Sequence, residues 1–413
     1  MVPNLRKPNE LFFILLLLPF VKPVGLDVYP LVDKLFLLWK LLSMAYLLFA
    51  LVPKCFRAKP RKKPLGFIGL GVFWVIYLAG CLRVGVDVVS VATAAMGCFF
   101  VIALISYALR TKNGMVLLRA MSKLSVGCIL AHVASVFLVY LGILDFGYGD
   151  GSPIYLFGMD NYSAFFLYPM AFIVLYCDCL KHGRVSLMGW GLLLLIVFTF
   201  LFTASLTAAG AGLLMILLAL IGRDWNKLPK LRSLWWIIAA MAIILVLICR
   251  FQIQNLVAGL LNATSKGITL NSRTIIWDMV WDLIVQRPVF GHGSFTAEQI
   301  NNYIMYGTTH AHNLLLELLL RSGIVGLGGY LLFLCGFMLP GRKRSALSSV
   351  DNILLVGLVG QLVLSFMDFY PSIIAFYMFM GVLYFRKGFA EEIALGKHPV
   401  KRIGSDPECE DPV

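Results

Sequence analysis

Three of the chain's six histidines, His292, His310 and His312, fall within 21 residues, and Arg273, Arg287, Glu317 and Arg321 lie near them in sequence. Neutral imidazole can take a proton from a hydroxyl because its pKa lies near working pH. Guanidinium groups grip phosphate oxygens through paired, charge-assisted hydrogen bonds. A histidine beside arginines therefore has the means to deprotonate one substrate and hold the phosphate of another. His312 and Asn313 directly precede the apolar run that begins at Leu314, which puts His312 at the lip of a helix, where it reads either as a base or as a helix cap. His310, two residues earlier, reads as a lip residue pointing another way. Glu317 and Arg321 are spaced i,i+4 on one helical face. Ionised groups at that depth cost ~2.5–3.5 kcal/mol each, so they either pair with each other or line a polar cavity. Arg250 and Arg287 join Arg273 as candidate phosphate contacts, and Arg250 is also placed to snorkel to lipid headgroups. Gly291-His292-Gly293-Ser294-Phe295 reads as a tight turn with a mobile backbone. Its Gly-x-Gly lacks the strand and third glycine of a dinucleotide site.

These residues are set in a chain of 413 residues, 60% hydrophobic and 14% charged, against about 25% charged in a soluble protein. With a mean hydropathy of +0.87, the composition predicts an all-α integral membrane protein. Long apolar runs predict twelve transmembrane helices, at approximately 11–31, 35–53, 65–83, 88–109, 121–143, 163–180, 185–203, 206–222, 233–250, 313–339, 351–367 and 371–386. Pro19, Lys22, Pro23 and Asp27 interrupt the first, so it is expected to be broken or re-entrant. No cleavable leader is expected, since this run has no small-residue cleavage site.

The net charge of +14 resides mainly in short loops. Six Lys/Arg lie between Lys54 and Lys63 and four between Arg110 and Lys123; Lys181 and Arg184, the Arg223–Arg232 group and Arg342–Arg344 follow. Twelve spans bring all of these loops and both termini to the cytoplasmic face. The charge is thus topological and implies no nucleic-acid partner. The other face receives the 145–162 loop, with Asp145, Asp150 and Asp160, and the long 251–312 segment. A connection that long is usually functional or disordered. In it Ile275, Ile276, Met279, Leu283 and Ile284 recur at helical spacing, Asn271 or Ser272 can cap, and Pro288 closes the helix. Trp277 and Trp281, four apart, suit a helix lying at the membrane interface. The chain divides accordingly into a nine-span bundle (1–250), an extracytoplasmic catalytic loop (251–312), three further spans (313–387) and a cytoplasmic tail (388–413). The nine cysteines are scattered and indicate neither a disulfide framework nor zinc. There is no Asp-x-Asp, and the two external histidines, His310 and His312, lack a carboxylate arranged with them as a metal site, so no metal or cofactor is expected. No P-loop supports ATP-driven transport.

Arg273…Trp277, then Gly291-His-Gly-Ser-Phe295, then His312-Asn313-x-x-Leu316-Glu317…Gly323-x-x-Gly326 resembles the signature of the O-antigen ligase and polymerase superfamily. Asp160-Asn161, before the sixth span, is similar to the family's asparagine at that place. One stretch departs: many ligases carry a Ser-Arg pair where this chain reads Thr203-Ala-Ser-Leu206-Thr, which favours a polymerase over a ligase. The opening Leu18-Pro-Phe-Val-Lys-Pro-Val-Gly25 is also similar to capsule or exopolysaccharide polymerases.

The resemblance implies an inverting, metal-independent glycosyltransferase of the GT-C type in the bacterial cytoplasmic membrane, active on the extracytoplasmic side. Its donor would be an undecaprenyl-diphosphate-linked glycan, and its acceptor the terminal sugar of another lipid-linked repeat unit. A ligase passing the glycan to lipid A core or protein is the alternative. His312 would act as base or acceptor orienter, and Arg273, with Arg250 or Arg287, would hold the diphosphate. Gly291, Gly293, His310, Asn313, Glu317, Arg321, Asp160 and Asn161 complete the candidate substrate-binding set. A transporter or flippase is a third reading. It calls for midplane charges and inverted repeats, whereas these charges gather at one lip.

Overall fold

The computed structural model describes residues 8–55, 65–149, 152–221, 238–241, 243–244, 273–304, 310–338, 350 and 352–397. Asn9 caps α1 (Glu10–Leu17), its side chain accepting the Phe12 backbone N–H at 3.0 Å. Pro19 then tips the chain into a 3-10 turn at Leu18–Val21, and a second turn follows at Val24–Val28. The first apolar run is therefore broken where its prolines predict. The Gly25 N–H is given to Leu156 O at 2.9 Å, which ties this break to the 145–162 loop.

Seven helices follow: α2 (Pro30–Cys55), α3 (Leu65–Val84), α4 (Val88–Arg110), α5 (Gly114–Tyr140), α6 (Asp160–His182), α7 (Leu187–Phe202) and α8 (Leu206–Ile221). After the described fragment at 238–244 come α9 (Arg273–Gln286), α10 (Ala297–Tyr303), α11 (Leu314–Met338), α12 (Asn352–Met367) and α13 (Ile374–Lys397). A short hairpin pairs Tyr148 with Pro153 and Gly149 with Ser152. Five helices, α3, α4, α5, α6 and α11, are long and apolar enough to cross a bilayer, and α7, α8 and α12 are shorter apolar helices. The chain is an all-α, multi-pass membrane protein. Most of the ninth expected span, at 233–250, lies outside the described residues.

Helix α6 is the axis, packed against α5, α7, α8, α12 and α13. Leu194, Phe198, Leu213 and Leu217 on α7 and α8 stay exposed, as lipid-facing side chains do. Helices α3 and α11 approach so closely that a Cβ on Gly69 would stand 2.5 Å from Gly329 O, the small-residue seam by which membrane helices bring backbones together. Helix α11 breaks at Gly323 (φ 63°, ψ −167°). Segment 288–293 fits into that break: Ile324 N–H donates to Pro288 O at 2.8 Å and His292 N–H to Leu320 O at 2.7 Å.

Helix α9 forms where the apolar spacing predicts and ends just before Pro288, but its role differs from expectation. Trp277 is fully buried, and Ile276, Val280, Leu283 and Ile284 make a separate small core with Ala311, Leu315, Leu316 and Leu320 of the α11 end. Part of the apolar surface of α9, Trp277 included, is thus spent on the protein, while Ile275, Met279 and Val285 stay exposed.

Candidate functional site

The first turns of α11 carry the site. Asn313 caps this helix: its Oδ1 accepts Leu315 N–H at 2.9 Å and Leu316 N–H at 3.2 Å, while its Nδ2 donates to Phe366 O at 2.8 Å. Capping therefore falls to Asn313, which removes the cap reading for His312. Asn313 is fully buried and committed to the helix end rather than to a ligand.

His310 and His312 do not point apart. Their rings lie 4.0 Å from centroid to centroid, and both face Asp368, in the turn between α12 and α13. His310 Nε2 is hydrogen-bonded to Asp368 Oδ1. His312 Nδ1 stands 3.4 Å from the same oxygen, within ion-pair range but without hydrogen-bond geometry. The expectation that no carboxylate accompanies the two histidines is overturned; Asp368 lay two spans away in sequence. Asp368 is itself held by Phe369 N–H at 3.1 Å, Tyr370 OH at 3.3 Å and Asn161 Nδ2 at 3.5 Å. Asn161 in turn accepts from Ser205 Oγ at 2.9 Å, so the Thr203–Thr207 turn reaches the site through a serine.

The backbone around the histidines is fixed from two sides. Between them, Ala311 donates its N–H to Glu317 Oε2 at 2.8 Å, and its carbonyl accepts Trp277 Nε1–H at 3.0 Å. His312 takes a left-handed φ of 50°, uncommon for a residue with a Cβ and held only where surroundings over-determine it. Glu317 also pairs with Arg321, and Arg321 reaches Ser294 Oγ at 3.2 Å, which meets Tyr77 OH at 3.1 Å. A buried polar chain thus runs from the histidine loop to α3. Of the two sequence readings for Glu317 and Arg321, mutual pairing holds, with the loop as a further partner.

Electrostatics separate the two imidazoles. Burial pulls His310 down, but the adjoining Asp368 carboxylate more than offsets this and raises its pKa above the ordinary value. His312 is lowered, first by burial and then by the positive charges of His310 and Arg273, against the opposing pull of Asp368. Asp368 is held far below the usual carboxylate range: burial opposes its charge, and the two imidazoles overcome it. Burial, reinforced by Asp368, pushes Tyr370 well up. Asp368 thus favours the charged form of His310, while the surroundings of His312 favour its uncharged form.

Arg273 opens α9 and is only 8% exposed, yet its Nε has no hydrogen-bond partner among the described residues. Other expected site residues fall elsewhere. Arg287 is exposed, and its charge bears on His292. His292 Nε2 donates to Leu283 O at 2.8 Å, and the ring stacks on Phe295, apart from the His310–His312 pair. Gly291 (φ 68°) and Gly293 (φ 80°) are close-packing glycines, not a phosphate cradle: a Cβ on Gly293 would stand 2.4 Å from Gly80 C. Nor is their turn loose, since Arg83 donates to Gly291 O and His292 O at 3.1 and 3.0 Å. Arg250 and the side chain of Asp160 lie outside the described residues.

Sequence reasoning missed Asp368, Tyr370 and Ser205. One signal for Asp368 was present: an even number of spans between 313 and 367 returns the chain to the face that carries His312.

No curated protein and no solved structure matches the chain. Residues 191–331 match the family model described as O-Antigen ligase, a stretch that takes in Ser205, Arg273, His310, His312, Glu317 and Arg321 and stops before Asp368. That match and the motif around His312 make this part of the chain similar to the O-antigen ligase family.

Proposed function

We propose that this protein is a membrane glycosyltransferase that polymerises undecaprenyl-diphosphate-linked repeat units at the outer face of the bacterial cytoplasmic membrane. The observation that carries the reading is the convergence of His310 and His312 on Asp368, beside a buried arginine with an unengaged Nε. His312 is the base. Facing Asp368 through Nδ1 leaves Nε2 as the acceptor for a proton from the acceptor sugar's hydroxyl. The freed oxygen attacks the anomeric carbon of the donor sugar from the face opposite the phosphate. The new carbon–oxygen bond forms as the bond to phosphate breaks, inverting the centre, and the lipid diphosphate departs. Arg273 neutralises the charge that develops on it. Asp368 keeps His312 oriented and stabilises the imidazolium, as a carboxylate behind a catalytic imidazole does. No step needs a metal or cofactor.

This reading takes the chain as a GT-C-like protein of twelve spans with both termini in the cytoplasm and segments 251–312 and 368–373 outside; the long apolar helices and the basic short loops support it. Ligation of the finished glycan to a lipid or protein acceptor is the second reading. The description of the matching family favours it, and the lack of an arginine between Thr203 and Thr207 speaks against it. Purified protein in liposomes with lipid-linked repeat units distinguishes them. A ladder of products without any other acceptor supports polymerisation. Transfer only after lipid or protein acceptor is added supports ligation. No transfer in either case contradicts both.

A further inference from the structure

We propose that His310, His312 and Asp368 also form a binding site for a zinc-class transition metal ion, and that occupancy switches the enzyme off. The donor atoms of the three side chains all lie within 4.8 Å of one another. Tetrahedral zinc with bonds of ~2.0–2.1 Å keeps its ligand atoms about 3.3 Å apart. His312 Nδ1 and Asp368 Oδ1, at 3.4 Å, are already at that spacing. His310 Nε2 and the same oxygen, in hydrogen-bond contact at 2.5 Å, need to part by under about 1 Å to admit the ion.

The chemistry of the donors selects the ion. Two imidazoles and one carboxylate suit zinc, nickel, cobalt or copper, whereas magnesium and calcium prefer oxygen donors alone. The ligands are also pre-arranged. Ala311 is gripped by Glu317 and Trp277, so the loop bearing both histidines is fixed before any ion arrives. Behind the carboxylate stand Phe369 N–H, Tyr370 OH and Asn161, the outer ring of hydrogen bonds that metal-ligating carboxylates use. The His312 side chain is 21% exposed, leaving an approach to the site.

Arg273 and Arg321 contribute positive charge nearby, which opposes a cation. The site is therefore a reversible regulatory one rather than a seat for a resident metal. The ion would displace the His310 Nε2 proton to solvent and take Nδ1 of His312, whose own proton moves to Nε2, so that this imidazole can no longer accept one. The inhibitory half of this inference rests on the proposed transferase reading; the binding half does not.

Metal-stripped, tag-free full-length protein in detergent is titrated with cobalt(II), read by the visible absorption of four-coordinate cobalt. One equivalent should bind and be displaced by zinc. His310→Gln and Asp368→Asn, which keep side-chain volume, should abolish the signal while eluting as folded protein. His292→Ala, a histidine outside the cluster, should retain it. Absence of a signal, or an unchanged signal in both cluster variants, overturns the site. In liposomes, saturating zinc should cut turnover at least tenfold, with recovery on adding EDTA. Full turnover with zinc bound overturns the switch. Failure of the metal-free protein to turn over at all would instead count against the transferase reading, leaving the cobalt result to decide the site.

Discussion

His310 Nε2 and Asp368 Oδ1 are hydrogen-bonded although 58 residues and two apolar helices separate them in sequence. The pair closes a loop between the start of α11 and the end of α12, and it brings His312 onto the same carboxylate. An arrangement so assembled makes Asp368 a partner in whatever the histidines do.

Asp368→Asn keeps shape and removes charge. Because the carboxylate raises the pKa of both imidazoles, its loss should lower both. In the wild type, activity needs uncharged His312, so turnover should persist below pH about 6.5, the ordinary histidine value, and fall only in more acid solution. The variant should lose at least about tenfold in rate, with its acid limb moved to still lower pH. A rate loss with an unmoved limb would assign Asp368 a purely architectural role. Turnover against pH, at saturating donor, reads both.

Arg273→Lys preserves charge and loses the planar fork. A hydrogen bond to a charged group is worth roughly 1.5–3 kcal/mol, about one to two decades in rate. Kinetics on purified variants should find that loss in Arg273→Lys and a larger one in Arg273→Ala. Near-wild-type turnover in both, at equal protein level, would remove Arg273 from the account.

The grip on Ala311 predicts a different pattern. Trp277→Phe takes away the indole N–H and leaves a buried carbonyl unpaired, costing about 1–3 kcal/mol. Thermal melts should register that cost. Glu317→Gln retains an acceptor for Ala311 N–H but not the charge facing Arg321, so a buried arginine is left without its counter-ion. Breaking a buried pair in this way costs roughly 3–5 kcal/mol, and Glu317→Gln should be the less stable of the two. The reverse order would mean that the ion pair contributes little.

The orientation of the site is also testable. Glu298, exposed in the first turn of α10, replaced by cysteine in a background without other reactive thiols, should label with an impermeant reagent in intact cells. Labelling only after lysis would put the site on the wrong side of the membrane for an outer-leaflet donor.

Much of the helical layout was legible because apolar runs and the prolines that break them act locally; Pro19 and Pro288 end helices by their own geometry. His312 was legible for the same reason, standing beside the first turn of an apolar run. Asp368 was not, because its role comes from packing α12 against α6, α8 and α11 rather than from anything near it in sequence. Gly291 and Gly293 were ambiguous, since close approach to a substrate and a tight backbone crossing place the same demand on the residue: no Cβ. Trp277 misled similarly, as an apolar stripe four residues apart serves a headgroup layer or a neighbouring helix equally well. Its indole N–H, aimed at Ala311 O, decides between them only once the fold is in view.

The central claim is that His312 removes the acceptor proton. Single-turnover release of undecaprenyl diphosphate from lipid-linked repeat units, measured with purified wild type, His312→Ala and His312→Asn at equal donor occupancy, addresses it directly. The account predicts that both variants bind donor as wild type does and that both lose ~10²–10⁴-fold in the chemical step, asparagine giving no rescue because Asn313 already caps the helix. A normal single-turnover rate in His312→Asn would contradict it.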